Sequence, residues 1–445
     1  MKRAIFPILL MLLPFLASAE TIEVEGVWYN LISKGQVAEV TNNPSIDKFS
    51  GSSYSGDITI QPSISHGGIE YEVTSIGDYA FYKCANLNSI IIPDCMEKIG
   101  IASFYGCSIL KSVTLPNNLN TIGDNAFWGC TNMTSVIIPN NVSFIGEGAF
   151  GKCSNLISIN IPNKVTTIDW YTFNDCICLR SVTLSENLTF IGCGVFRGCS
   201  SLETINIPSN VKTIDDTAFF RCTNLTSVII PNSVTSIGGN AFEDCSSLSI
   251  LNIPNSVTSI AKEAFYGCIG LTTVNIGNGV KSIGEKAFGK CDKLTDVYCL
   301  AEKLRNEEWS GEGLYTYPDA FMDSYPQYMT LHVPAASIEA YSSTVPWSQF
   351  KAIVALESGD TPTIQKCATP EISYADGKLT FACETEGAEC VATITDPDIT
   401  TYYGNEITLS QIYTVSVYAT KAGYENGSPA YLRGISYTKI MIFPF

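Results

Sequence analysis

The sequence predicts a mainly β protein: a right-handed solenoid of 23-residue units followed by a small β-sandwich module. Three observations predict it. Cysteine recurs every 23 residues from Cys84 to Cys291. Phenylalanine recurs in the same phase from Phe81 to Phe288. Between them lies a short β-branched segment closed by proline. One such unit cannot bury its apolar face alone, so neighbours must stack into a continuous core.

The unit that starts at Cys222 shows the pattern. Leu225 to Ile230 is short and β-branched, which suits a strand. Leu225, Val228 and Ile230 are expected to face inward, with Ser227 and Ile229 outward. Pro231 lacks an N–H and ends the ladder. Val234 and Ile237 form a second inward stretch, Gly238 permits a turn, and Ala241-Phe242 starts a tight helical or 3₁₀ turn whose Phe plugs the interior. Departures are few. Ser185 and Gly277 replace the proline, Asp169, Asp215 and Ala261 the glycine, and Met133 the leucine.

Leu225, Val228 and Ile230 match the leucine-rich-repeat signature, and the I-P then I-G-x-x-A-F-x-x-C form resembles the BspA-type surface repeats of Bacteroidetes and treponemes. The resemblance covers residues 69–300. It implies a leucine-rich-repeat solenoid that binds host matrix proteins, epithelial cells or other bacteria.

The flanks have their own roles. Residues 1–19 read as a signal peptide: Lys2 and Arg3, an apolar stretch from Ile5 to Leu16, and the small residues Ala17-Ser18-Ala19. The stretch is shorter than the about 20 residues a membrane span needs. No membrane span is therefore expected in the mature chain, and secretion to the medium or outer cell surface is, with the periplasm as the alternative. Residues 20–68 read as an N-terminal cap, with a hairpin from Val27-Trp28-Tyr29 and Val37 to Val40 and a degenerate repeat strand at Ile58 to Pro62. Residues 301–356 read as a C-terminal cap and 357–366 as a polar linker. The module at 367–445 carries strand-like runs at Lys378 to Ala382, Val391 to Thr395, Glu406 to Leu409 and Tyr413 to Thr420. With C-A-T-P at 367–370, it is similar to the C-terminal domain of chitobiase-type enzymes, which implies a sandwich and not catalysis. The stretch after Pro429 fits no pattern.

Composition narrows the partners. A formal charge of −17 makes nucleic acid an unfavourable partner. Histidine occurs only at His66 and His332, so histidine triads and metal sites are poorly supplied, and no cofactor is expected. Stacked cysteines point the same way, unlike converging metal ligands, and read as small buried hydrophobes. Cys178 and Cys193 lie outside the ladder and are candidates to pair; Cys367, Cys383 and Cys390 are three, so their connectivity stays open.

Two surfaces are candidate ligand sites. The residues after each Phe include Tyr82, Tyr105 and Trp128 in consecutive units, with Phe220 and Tyr266 later. Stacked one repeat apart they would form an aromatic strip for sugars or a protein anchor. The outward strand rows form the concave stripe, small and nearly uncharged, in which Asn160, Asn206, Asn252 and Asn275 recur. Edge shielding and ordinary exposed-strand chemistry are the competing explanations. The expected function is a monomeric, non-enzymatic binding or adhesion protein for a host extracellular-matrix or cell-surface protein. A glycan-binding accessory protein and a passive spacer are the alternatives.

Overall fold

The computed structural model describes residues 20–356, except 48, 51–53 and 309–310, together with 371–375, 378–384, 389–395, 406–420 and 430–442. The expected signal peptide, the linker and Cys367 lie outside the described residues.

The chain is a β-solenoid with very little helix, and each turn is hydrogen-bonded to the next on three sides. The first side is the strand after the conserved leucine, for example Ser227–Ile229, which pairs in parallel with Thr204–Asn206 of the preceding turn. The second is a two-residue strand such as Ser236–Ile237, paired in parallel with Thr213–Ile214 and Ser259–Ile260. The third is the turn carrying the phenylalanine: Phe242 N–H donates 2.7 Å to the carbonyl of Ala264 in the following turn. Backbone polarity is thereby satisfied between turns as well as within them.

Alternation sets the core. Val228 and Ile230 are buried while Ser227 and Ile229 are half-exposed, the expected in-out pattern of a pleated strand. The turn around Phe242 differs from the helical turn expected there. Asn240 (φ 56°) and Asp244 (φ 59°) adopt left-handed backbone on either side of Phe242, which breaks any helix. The same two positions are left-handed in turn after turn, as at Tyr79 and Lys83. Gly238 also serves another purpose than expected. Its φ is ordinary, and a Cβ there would sit 2.5 Å from the backbone nitrogen of Asp216. It permits two successive backbones to approach closely.

The phenylalanines form one column. From Phe81 to Phe321, consecutive rings stack with centroids 5.0–5.7 Å apart and planes within 18° of parallel. The column outlasts the regular period. Phe321 follows Phe288 after an insertion and still stacks on it at 5.5 Å. The solenoid register therefore runs on past residue 300: Tyr315–Thr316 extends the second side, and Thr330–Val333 and Ala352–Ala355 extend the first.

Both ends of the column are covered. At the N-terminal end the hairpin Val27–Ile32/Val37–Thr41 joins the second side through Ile69–Ile76, and Tyr54 lies on Phe81 at 4.6 Å. The strand Gly56–Thr59 pairs with Leu87–Ile91 as a degenerate repeat strand. At the other end Trp347 and Phe350 pack edge-on against Phe321 at 5.4 and 5.2 Å. These aromatics shield the apolar ends that an open solenoid would expose to water.

Beyond residue 370, Glu371–Ala375 pairs antiparallel with Lys378–Ala382. Glu389–Thr395, Glu406–Thr420 and Ala430–Ile442 form a second antiparallel sheet. The two runs expected at 406–409 and 413–420 are one strand, and the stretch after Pro429, which fitted no pattern, is its partner.

Candidate functional site

The repeat core explains the cysteines and removes them from the chemistry. Each ladder thiol from Cys107 to Cys291 donates to the carbonyl of the phenylalanine in the preceding turn, at 3.1–3.4 Å. That carbonyl already accepts its own turn's N–H, as Phe196 O does from Cys199 N at 3.1 Å. The thiol fills the second lone pair. Burial pushes the Cys153 thiol up to about 12, so it stays protonated at neutral pH. Such a group is neither nucleophile nor metal ligand. At the last turn Ser324 takes the cysteine's place, its hydroxyl donating 2.5 Å to Phe288 O.

The pairing considered for Cys178 and Cys193 does not occur: both are free thiols. Cys193 instead lies 3.6 Å from Thr217 Oγ1 and 3.9 Å from the Tyr171 hydroxyl.

The turn face carries an aromatic cluster at its N-terminal end. Tyr82 and Tyr105 stack at 5.1 Å, and Tyr105 and Trp128 at 6.5 Å with planes 7° apart. Two further rings join that the repeat phase did not mark. Phe49, from the N-terminal cap and 50% exposed, packs edge-on against Tyr79 at 5.2 Å and Tyr82 at 6.0 Å. Tyr79 and Tyr82 are 5.6 Å apart. Tyr79, Tyr82, Tyr105 and Trp128 are all half-buried.

The column stops at Trp128 for a steric reason. The next unit has Gly151 at this position, and a Cβ there would lie 2.1 Å from the indole. The ring rests on that glycine, with Lys152 Nζ 5.6 Å above its centroid. Lys83 Nζ lies 5.0 Å from the Tyr82 ring. Tyr105 has a neighbouring ring on each side, so the column offers edges and hydroxyls more than open faces. That disfavours sugar stacking and suits an interface in which amphipathic aromatics anchor a partner.

Phe220 and Tyr266 do not extend the strip, which corrects the expectation. They stand two units apart with Glu243 between them. Arg197 and Arg221 each lie 4.9 Å from the Phe220 centroid, and Lys290 lies 5.2 Å from Tyr266. This half of the turn face is charged. Arg221 pairs with Asp244 at 3.4 Å, and Asn240 donates to Glu243 and, at 3.1 Å, to Glu263.

The asparagines belong to a different side of each turn, the first strand. Asn160, Asn206, Asn252 and Asn275 are half-buried there. Thr183 and Ile229 separate the first three, so only Asn252 and Asn275 are neighbours, and the Asn275 amide donates to Asn252 Oδ1. The seven residues lie on two separate surfaces of the solenoid.

His66 Nε2 lies 3.1 Å from Glu20, and His332 Nε2 lies 3.0 Å from Asp296. Among the described residues no group of three His, Cys, Asp or Glu could hold a metal ion. Among them, too, no helix is long and apolar enough to cross a membrane.

A sequence profile of the BspA type leucine rich repeat region matches residues 74–203 and 189–305, in six copies. No curated protein matches the chain. A leucine-rich repeat protein from Bacteroides ovatus ATCC 8483 has a similar structure, 24% identical over 76% of this chain and 100% of its own, with a TM-score of 0.51. A leucine rich cell surface protein from Faecalibacterium prausnitzii A2-165 is 24% identical over 77% and 97%, with a TM-score of 0.48. The leucine rich repeat protein of T. pallidum is 23% identical over 52% and 91%, with a TM-score of 0.36.

Proposed function

The chain belongs to the BspA-type leucine-rich repeat family, and on that premise we propose that it is a secreted or cell-surface binding protein that docks a host protein through its N-terminal aromatic cluster. One observation carries this reading. Five aromatic side chains, Phe49, Tyr79, Tyr82, Tyr105 and Trp128, are gathered on one rigid edge and kept partly exposed. Ordered aromatics bury large area on binding at low cost in side-chain entropy, which is how interface anchors work. The column itself is rigid because its backbone is hydrogen-bonded turn to turn, as Phe104 N–H is to Ala126 O at 2.7 Å.

Export by the N-terminal signal peptide and action as a monomer belong to the same proposal. So does the sandwich reading of residues 367–445. A solid-phase screen of the purified protein against fibronectin, laminin, collagen and epithelial surface proteins tests it. Saturable binding to at least one is expected; binding to none at high micromolar concentration would contradict it.

A further inference from the structure

The strand face changes character toward the C terminus. Four consecutive parallel strands, Ile250–Ile253, Thr273–Ile276, Asp296–Cys299 and Thr330–Val333, place Asn252, Asn275, Tyr298 and His332 in one register row. Thr273, Asp296 and Thr330 stand in the adjacent row. The preceding turns offer mostly Ser, Thr and Ile at these positions, so this block concentrates the amide, carboxylate, phenol and imidazole chemistry of the face.

The block is ordered by its own contacts. Tyr298 lies face to face with His332, with centroids 4.1 Å apart and planes 8° from parallel. Asp296 Oδ1 lies 3.0 Å from His332 Nε2, and its Oδ2 accepts from Thr295 Oγ1 at 2.9 Å. Asn275 donates to Asn252, but its own Oδ1 has no donor. The amide ladder is interrupted because the next strand presents Tyr298 opposite Asn275. An orphaned buried acceptor calls for a donor from outside the side-chain set.

We propose that this block is a second binding site, distinct from the aromatic cluster, for a neutral oligosaccharide lying along the solenoid axis. Amide, phenol and imidazole groups in one row, with the Asp296 carboxylate in the adjacent row, supply the paired donors and acceptors that vicinal hydroxyls need. The strands repeat every about 4.8 Å, close to the advance of one sugar along an extended chain. The net charge of −17 opposes an anionic sugar. Asp296 and His332 keep 39% and 16% of their side chains exposed, so a ligand can reach the pair. Fixed side chains lower the entropy cost of binding.

An array of neutral plant, fungal and bacterial oligosaccharides, followed by calorimetric titration of any hit, tests the site. Binding is expected to weaken about tenfold or more in Asp296→Ala and in Tyr298→Ala, and to stay unchanged in Tyr105→Ala. Hydrogen exchange on the unaltered protein gives a readout that survives a misfolded variant: saturating sugar should slow exchange within 296–299 and 330–333. Absence of any array binding, sugar binding that both variants retain, protection confined to other turns, or binding of peptides in place of sugars would each overturn the proposal. Because the aromatic cluster is untouched by these variants, its failure as a protein site would leave this result standing.

Discussion

The thiol of Cys222 donates a 3.2 Å hydrogen bond to the carbonyl oxygen of Phe196, the phenylalanine one turn earlier. It ties together the two residues that recur in every regular unit of the sequence. It also distinguishes this cysteine from a merely small apolar residue, because the donor matters as well as the volume. Substituting Cys222→Val keeps bulk and removes the donor; Cys222→Ser keeps a donor, as Ser324 does naturally on Phe288. Chemical denaturation should show the valine variant less stable than the serine variant by about 1 kcal/mol. Equal or reversed stabilities would mean that the ladder is held by packing alone.

The phenylalanine column makes the turns mechanically continuous. Phe196 stacks on Phe173 at 5.7 Å and on Phe219 at 5.4 Å and is fully buried. Phe196→Ala should cost about 3–5 kcal/mol. Because each turn contacts only its neighbours, the damage should also split unfolding into two transitions. Hydrogen exchange resolved by segment checks this: turns on the two sides of residue 196 should lose protection at different denaturant concentrations.

Thiol reactivity should divide by position. The ladder thiols from Cys107 to Cys291 are buried, whereas Cys178 and Cys193 are partly exposed. Iodoacetamide at pH 8 followed by peptide mass mapping should modify Cys178 and Cys193 in the native protein. The ladder should react only after unfolding. Native labelling of Cys199 or Cys222 at a comparable rate would contradict the packing described.

Glu243 gives a pH signature. Burial raises its pKa, with Asp244 and Glu263 adding in the same direction against the hydrogen bond from Asn240. A carboxyl whose folded pKa is raised contributes stability below its unfolded pKa and loses that contribution as pH rises through the folded value. Glu243→Gln should therefore raise the melting temperature at pH 7, by an amount worth a few tenths to about 1 kcal/mol given its partial exposure. At pH 3 it should change little. Thermal melts at the two pH values check the difference.

The fold was largely legible because a period of 23 identifies stacked turns before any single residue is interpreted. What the period could not reveal lies where phase is lost or where geometry decides. Phe321 and Ser324 repeat the A-F-x-x-C pattern with serine for cysteine, but the insertion before them hides the register. The left-handed positions are filled by residues as different as Tyr79, Thr217 and Lys286, so no composition marks them. At the candidate site, the adjacency of Tyr82, Tyr105 and Trp128 followed from consecutive units. Phe49 did not, because the cap that delivers it has no repeat phase. Phe220 and Tyr266 share the position but not the neighbours, and a strip needs aromatic residues in adjacent turns. The Tyr298 and His332 stack lay hidden behind the same insertion.

The most direct measurement compares the unaltered protein with the triple variant Tyr82→Ala, Tyr105→Ala, Trp128→Ala for binding to the matrix or epithelial protein found in the screen. All three side chains are half-buried on the edge of the core, and the substitutions do not alter any residue of the Phe81 to Phe127 column beneath them. The predicted result is at least a tenfold loss of affinity, about 1.4 kcal/mol or more, with the cooperative melt of the solenoid preserved. Unchanged affinity in a folded triple variant would contradict the assignment of the aromatic cluster as the docking site.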